Sequence, residues 1–267
     1  MNGPGPLPSE MNGTAQDRLR QVLDAVLAWI YPEVCALCHA EPAGPGEGYV
    51  GAACRSRIEP LLPPFCDRCG LPPSGAVDSE HTCANCRDEP PGFQSARAAL
   101  VAHGVVLEIL HRYKYRRHLW FEPLLRDRLL QAALPELASG AWRGLVPVPL
   151  HPVKAREREF NQADRLARPL AEALRIPLRT DLVRRRVATA TQTRLSREER
   201  KANVRRAFEA VPDAAPVSGD WIVFDDVLTT GSTADAVTEV LTGLGAERVV
   251  VWSVARATLD GARLPAA

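Results

Sequence analysis

The fold is decided by one stretch, Trp221-Ile222-Val223-Phe224-Asp225-Asp226-Val227-Leu228-Thr229-Thr230-Gly231-Ser232-Thr233. It begins with four apolar residues, a pattern that is typical of a short strand buried in a parallel sheet. Two adjacent carboxylates, Asp225 and Asp226, then follow. Ligands of open α/β sheets bind beyond the carboxyl ends of the strands, where acidic residues can accept hydrogen bonds from ribose hydroxyls. The sequence therefore predicts a ribose-binding site at the end of this strand.

A loop of small hydroxyl residues around Gly231 follows the two carboxylates. Glycine lets the backbone approach a ligand closely, and N–H groups that lead into a helix N-terminus form an anion cradle. The plainer alternative is a strand–turn–helix in which a Thr or Ser caps the helix. Acids beside a phosphate repel it unless the ligand places hydroxyls or a divalent cation against them. The order of the residues thus favours a sugar phosphate as the ligand.

Strand-like and helix-spaced segments alternate on both sides of this stretch. That alternation predicts a mostly parallel α/β sheet. We expect Asn161 to cap one helix and Pro169 to perturb it. The expected strands are Ala96–Ala102, Gly144–Val148, Trp221–Phe224 and Arg248–Val254, and the expected helices are Leu119–Leu134, Gln162–Leu174 and Thr233–Leu244.

The N-terminal third has a different composition. Residues 1–15 are rich in Gly, Pro and small polar residues, which predicts disorder, and residues 16–33 carry apolar side chains at the spacing of an amphipathic helix. Residues 34–92 contain all seven cysteines and few large apolar side chains, so we expect a metal to hold them. Residues 93–267 would then form the α/β domain.

The cysteines occur mostly in C-x-x-C pairs and are odd in number, which favours metal binding over disulfides. Two pairs separated by a short loop are typical of a four-cysteine structural zinc site. The first group leaves one ligand position open, so that either His39 or water fills it or the site is empty, and about one zinc ion per chain is expected. The complete site is Cys66, Cys69, Cys83 and Cys86, and the incomplete one is Cys35, Cys38 and Cys54.

The bulk composition is that of an ordinary globular chain, with 46% hydrophobic residues and a net charge of +1. We find no segment long and apolar enough for a membrane span and no secretory signal, so a cytoplasmic location is expected. Positive charge is concentrated in residues 184–206. This segment could be a solvated surface or a contact for nucleic-acid phosphates. The basic and aromatic segment 111–117 could stack on bases, or its tyrosines could be half-buried.

The string from Val223 to Thr233 resembles the motif that binds phosphoribosyl diphosphate (PRPP) in type I phosphoribosyltransferases. Three other parts of the chain, namely residues 146–152, residues 156–162 and Gln192 with Asn203 and Phe208, are similar to the ComF family. The resemblance implies a type I phosphoribosyltransferase-like mostly parallel α/β sheet behind a small N-terminal cysteine-rich zinc-ribbon domain. It also implies Mg²⁺ bound with PRPP and a link to DNA uptake. The implied PRPP site consists of Asp225 and Asp226, which would contact the ribose hydroxyls and take part in catalysis, and of Thr229, Thr230, Gly231, Ser232 and Thr233, which would bind the 5′-phosphate.

The resemblance also implies a pyrophosphate-binding loop after the strand at 144–148 and a flexible closing loop in the basic segment. The candidates there are Lys154, Arg156, Arg158, Arg194 and Arg200. The chain departs from the family at two positions. Glu159 stands where a glycine is usual, and a bulky acid there would change the turn and repel pyrophosphate. Arg57 stands where a further cysteine would be expected.

Two kinds of function remain open at this point. One is a phosphoribosyltransferase that uses PRPP and an unknown acceptor. The other is a protein without turnover, in which the zinc ribbon and basic segments contact single-stranded DNA or a helicase-like partner. In that second case the PRPP fold would serve as a scaffold or a sensor, because fold alone does not determine function.

Overall fold

The computed structural model describes residues 33–73, 81–186 and 206–258. These ranges contain six strands and seven α-helices. The segments 1–15 and, except for its last residue, 16–33 lie outside the described residues. In chain order the elements are α1 Ala52–Arg55, α2 Ala84–Asp88, β1 Ser95–Val101, α3 Gly104–Arg116, α4 Glu122–Leu137, β2 Trp142–Pro147, α5 Pro152–Arg158, α6 Gln162–Leu174, β3 Val183–Arg185, β4 Phe208–Ala210, β5 Asp220–Leu228, α7 Ser232–Leu244 and β6 Arg248–Arg256.

Four parallel strands form the central sheet in the order β1-β6-β5-β2. β3 and β4 pair separately as an antiparallel two-stranded sheet. The predicted mostly parallel α/β sheet is therefore confirmed. In a sheet of this kind both faces are covered by helices, and the carboxyl ends of the strands lie at one edge.

β5 has apolar side chains on both faces, which places it at the centre of the sheet. Trp221 and Val223 pack on the side of α7, whereas Ile222 and Phe224 pack into the core formed with α3, α4 and α6. All four side chains are almost completely buried. The continuous apolar run therefore reflects a strand buried on both faces.

Local sequence signals located several elements correctly. α6 has both of its predicted ends, and the Asn161 side chain caps it by accepting a hydrogen bond from the Ala163 backbone N–H at 3.1 Å. Pro169 lies inside this helix without ending it. The helix predicted from Leu119 begins as a 3₁₀ turn over Leu119–Phe121 and continues as α4. α3 lies where the sequence predicts no helix.

The cysteine-rich segment lies against the free edge of β1. The Leu61 backbone N–H donates to the Ala99 carbonyl at 3.0 Å, and the Ala96 N–H donates to the Arg68 carbonyl at 2.7 Å. Cys35 and Cys54 are buried in the same core as α3 and α4, whereas the later cysteines form a small separate cluster. Among the helices in the described ranges, none has the length and hydropathy of a membrane span.

Candidate functional site

The acidic pair lies inside β5 rather than after it. The strand continues to Leu228 because β6 keeps pairing with it, with Asp225 opposite Ser253 and Val227 opposite Ala255. The Asp226 backbone N–H donates to the Asp225 carboxylate at 2.9 Å. Both carboxylates are therefore held near the carboxyl edge of the sheet, where the sequence predicted them to meet a ligand.

The loop Thr229–Thr233, called the phosphate loop below, turns the chain from β5 into α7. Gly231 has a φ of 82° and is the N-cap residue of the thirteen-residue helix α7. The Thr230 hydroxyl lies 2.9 Å from the Ser232 hydroxyl and accepts from the Ser232 N–H at 3.3 Å. Because exposed hydroxyls and a helix N-terminus share one turn, the loop has the donors that an anion requires.

Lys114 of α3 forms an ion pair with the second carboxylate. Its Nζ lies 2.9 Å from Asp226 Oδ2, and the two side chains are only 8% and 14% exposed. The preceding residue, Tyr113, is buried and donates its hydroxyl proton to Glu122 at 2.7 Å, which fixes this turn of α3. A buried ammonium is stable only with a partner of opposite charge. Lys114 is therefore part of the acidic site, although nothing local in the sequence assigned it a role.

A cationic pocket of about 200 Å³ adjoins the acidic pair. Burial, with the nearby cations of Arg158 and Arg185, lowers the pKa of Lys154. Such mutual repulsion between cations favours binding of an anion, which relieves it. The pocket is lined by Lys114, Tyr115, Arg117, Lys154, Glu157 and Arg158.

Only some of the five cations that were predicted to bind pyrophosphate line this pocket. Lys154 and Arg158 line the pocket, whereas Arg156 is exposed and does not. Arg194 and Arg200 lie outside the described residues. The pocket therefore retains two of the predicted cations and adds Lys114 and Arg117.

Glu159 preserves the turn at which the family resemblance suggested glycine. It caps α5 in the left-handed conformation with a φ of 65°, which costs an ordinary residue about 1 kcal/mol relative to glycine. Its side chain is 65% exposed, and its carboxylate lies 2.8 Å from the Arg117 guanidinium. The acid is thus neutralised by a cation of the pocket wall, and the helix end keeps its left-handed geometry.

The segment Phe160-Asn161-Gln162 connects the wall of the cationic pocket to the sheet. The Asn161 amide donates to the Val148 carbonyl just beyond β2 at 3.0 Å. The Gln162 side chain is buried and accepts a hydrogen bond from Arg158 at 3.1 Å. These contacts position α5 and direct Arg158 toward the pocket.

Two clusters in the N-terminal region can each hold a metal ion. One is the predicted group of Cys66, Cys69, Cys83 and Cys86, whose sulfur atoms all lie within 4.8 Å of one another. Four thiol groups at such separations fit tetrahedral zinc. This cluster has few apolar neighbours, so a metal is the main element that can hold it together.

The first cluster corrects the sequence analysis, because its fourth group is present. The Glu41 carboxylate lies with the sulfurs of Cys35, Cys38 and Cys54, and all four ligand atoms are within 4.8 Å of one another. Its oxygens accept from the N–H groups of residues 53 and 54 at 2.9 and 3.1 Å. Carboxylate oxygen is an accepted zinc ligand. Glu41 therefore fills the position for which His39 or water was expected, and two clusters fit structural zinc.

Comparison with known proteins identifies the family. The chain is 31% identical to competence protein F of Haemophilus influenzae over 219 residues, which is 77% of this chain and 90% of that protein. It is 32% identical to DNA utilization protein YhgH of Escherichia coli K12 over 229 residues, 84% of this chain and 97% of that protein. The chain belongs to the ComF family.

The region of this ComF-family chain that contains both metal clusters also matches a known domain family. A double zinc ribbon domain matches residues 26–87, which include all seven cysteines. Adenine phosphoribosyltransferase from Rhodothermus marinus aligns at 19% identity and a TM-score of 0.33, over 50% of this chain and 80% of that protein. Family membership, the parallel sheet and the double zinc ribbon confirm the predicted fold class.

The acidic pair of this ComF-family chain is electrostatically strained. Burial and the adjacent Asp226 carboxylate raise the pKa of Asp225 to about 7, although Lys114 opposes the shift. When an acid has a raised pKa in the folded state, its ionisation lowers the free energy of unfolding. Between its ordinary pKa near 4 and a pH of about 7, the unfolded chain loses this proton first, so the free energy of unfolding falls as pH rises.

Asp225→Asn should consequently stabilise the protein more at pH 8 than at pH 5.5. We expect the advantage of the variant over the wild type to grow by about 1–2 kcal/mol between these values, because asparagine cannot ionise. Urea unfolding at both pH values measures this difference. Asp220→Asn, at the other end of β5, removes the partner of Arg248 and should show no such gain. An advantage of Asp225→Asn that is the same at both pH values would contradict the strain.

Proposed function

We propose that the chain binds PRPP with Mg²⁺ and transfers its phosphoribosyl group to an acceptor. One observation carries the proposal. The paired carboxylates of β5 are followed directly by the phosphate loop at the N-terminus of α7. Asp226 also forms an ion pair with Lys114, which lines a pocket with three other cations and one acid. PRPP has the matching order of groups, because its ribose hydroxyls lie between a 5′-phosphate and a pyrophosphate.

Each part of the site has a role in this proposal. Asp225 and Asp226 accept hydrogen bonds from the ribose hydroxyls, and the phosphate loop donates N–H and O–H groups to the 5′-phosphate. The pocket cations bind the pyrophosphate, for which the fork of an Arg side chain is well suited. Mg²⁺ carried with PRPP would neutralise charge on the leaving group.

The proposed reaction is a displacement at the anomeric carbon. The bond from this carbon to the pyrophosphate oxygen breaks, the electron pair leaves with pyrophosphate, and a bond forms to the acceptor. Lys114 lies at the boundary between the acidic pair and the cationic pocket. It can therefore neutralise Asp226 in the free protein and face the pyrophosphate when hydroxyls occupy the carboxylates. Catalysis by this site would rest on positioning and electrostatics.

Calorimetric titration of PRPP with Mg²⁺ into the full chain tests the proposal. We expect saturable 1:1 binding, competition by pyrophosphate and by ribose 5-phosphate, and no binding of free ribose. Competition by both fragments is expected because they would occupy opposite sides of the carboxylates. Absence of PRPP binding would rule out the proposed substrate.

A second candidate function, binding of single-stranded DNA, is favoured by the surface around the end of α3. Tyr115 is 44% exposed with the Arg158 guanidinium 4.8 Å from its ring centre, and the exposed Trp120 stacks on His118 at 4.1 Å. Exposed aromatic rings among cations are typical of surfaces that stack on bases. The names of the two relatives, which refer to competence and to DNA utilization, agree with this candidate.

Replacing Tyr115 and Trp120 together with alanine should weaken binding of a labelled single-stranded oligonucleotide about 10-fold or more, because each stacked base contributes about 1–3 kcal/mol. Fluorescence anisotropy at several salt concentrations measures the effect and should show affinity that falls as salt rises. Leu62→Ala, which removes an exposed apolar side chain of the cysteine-rich region, is the control. Equal binding by the double variant and the wild type would exclude this surface.

A further inference from the structure

Arg256 connects the second metal cluster to the phosphate loop. It is the last residue of β6, and its side chain is almost completely buried, at 3% exposure. Its Nε donates to the Cys69 carbonyl at 3.0 Å, and its Nη2 lies 3.8 Å from the Cys69 sulfur. Its Nη1 donates to the Leu228 carbonyl at 3.0 Å and to the Thr229 carbonyl. One planar group therefore holds a metal ligand residue on one side and the start of the phosphate loop on the other.

The charge of Arg256 gives this bridge its dependence on metal. Its guanidinium also donates to the Ala257 carbonyl, so its partners among the described residues are backbone carbonyls and the Cys69 sulfur. A zinc ion held by four thiolates is a net negative centre, and a buried guanidinium needs such a centre nearby. Metal at Cys66, Cys69, Cys83 and Cys86 would thus fix the guanidinium. The guanidinium would in turn fix the carbonyls of Leu228, at the end of β5, and Thr229, at the start of the loop.

Two neighbouring contacts link the same loop and the start of α7 to the segment just after the second cluster. The Phe93 ring packs beneath Gly231, where an added Cβ would lie 3.5 Å from the ring. The Gly92 N–H donates to the Asp235 carboxylate at 2.6 Å, which ties the segment after the second cluster to the first turns of α7. The segment that follows the second cluster therefore lies along the inner side of the phosphate loop and α7, while Thr229 and Thr230 are exposed.

We propose that Arg256 is a positioning residue through which the second zinc cluster holds the phosphate loop in its anion-binding conformation. Loss of that metal releases the Leu228 and Thr229 carbonyls, so the loop loses order and its affinity for a phosphate ester falls. The idea extends the PRPP proposal to the zinc ribbon. The role of Arg256 can nevertheless be tested without any ligand, because the conformation of the loop can be measured in the free protein.

The experiment is amide hydrogen exchange of the full zinc-loaded chain, read in the phosphate loop and in β2. We expect Arg256→Met, which keeps the length and removes the charge, to speed exchange of the loop about 10-fold or more while β2 is unchanged. Cys83→Ala, at the most exposed ligand of the second cluster, should have the same effect. The two changes combined should have no more effect than either alone, because they break one chain of contacts.

Two controls separate this bridge from general damage. Cys38→Ala removes a ligand of the first cluster only, and Arg97→Met removes a different arginine, whose Nη1 donates to the Asp67 carbonyl without touching the loop. Both should leave loop exchange unchanged. If Arg256→Met does not fold, Arg256→Lys takes its place, since one ammonium cannot hold both sides.

Three outcomes would overturn the positioning role. They are unchanged loop exchange in Arg256→Met or Cys83→Ala, equally accelerated exchange in β2, and full additivity of the two changes. Affinity for ribose 5-phosphate, measured in parallel, should fall about 10-fold in the same variants. Because exchange needs no ligand, a wild type that fails to bind ribose 5-phosphate would contradict the PRPP proposal and leave the test of Arg256 intact.

Discussion

Asp225→Asn combined with Asp226→Asn should weaken binding of PRPP with Mg²⁺ at least 100-fold. At pH 8, above the raised pKa of Asp225, each hydrogen bond from a ribose hydroxyl to an ionised carboxylate contributes about 1.5–3 kcal/mol, and two such losses correspond to a factor of this size. Asparagine has nearly the same shape as aspartate, so β5 should keep its register. Calorimetric titration of wild type and variant under identical conditions measures the difference.

The same variant should keep its affinity for pyrophosphate alone. Lys114 loses its ionised partner when Asp226 becomes asparagine, and it would then be free to contact an anion in the cationic pocket. Loss of PRPP binding with retained pyrophosphate binding would locate the defect at the ribose position. Loss of both ligands would instead show that the pocket had collapsed.

Asp220→Asn is the matched control for this experiment. It makes the same chemical change in the same strand, but at the end where Asp220 pairs with Arg248. We expect this variant to bind PRPP like the wild type. If the double variant also bound PRPP like the wild type, Asp225 and Asp226 would not form the site.

The parts of the fold that local sequence could predict are those with a local cause. The four apolar residues of β5, the glycine that begins α7 and the Asn161 cap of α6 each act within a few residues of themselves. The acidic pair and the phosphate loop could be located for the same reason. The length of β5 beyond Phe224 could not, because its pairing with β6 continues past the apolar run.

The residues that sequence analysis missed depend on distant contacts. Lys114 meets Asp226 and Arg256 meets Cys69 only because the sheet brings separate segments together. Arg256 ends a Val-rich strand, where a cation would ordinarily be solvated. Glu41 is different, because its spacing of three residues from Cys38 was visible. A search that allowed carboxylates as zinc ligands would have found it.

Replacing Glu41 should change the zinc content of the protein. The wild type should contain two zinc ions per chain, and Glu41→Ala should contain one. Structural zinc provides binding energy on the order of 10 kcal/mol that becomes folding energy, so the variant should also expose residues around the first cluster to protease. Atomic emission after dialysis against a weak chelator, together with limited proteolysis, measures both effects.

Two further variants decide whether Glu41 acts as a ligand. Glu41→Cys offers a thiol at the same place and should restore the second zinc ion, because cysteine completes a four-sulfur site. Glu47→Ala removes a nearby acid that pairs with Arg55, outside the cluster, and should retain both ions. One zinc ion in the wild type, or two in Glu41→Ala, would show that the carboxylate does not hold metal.

Gly51 supports the ligand role on structural grounds, since any side chain there would occupy the space of the Glu41 carboxylate. Gly51 thus leaves space for the Glu41 carboxylate, which takes the fourth ligand position. Arg57, which stands where a cysteine was expected, has no group that can bind zinc.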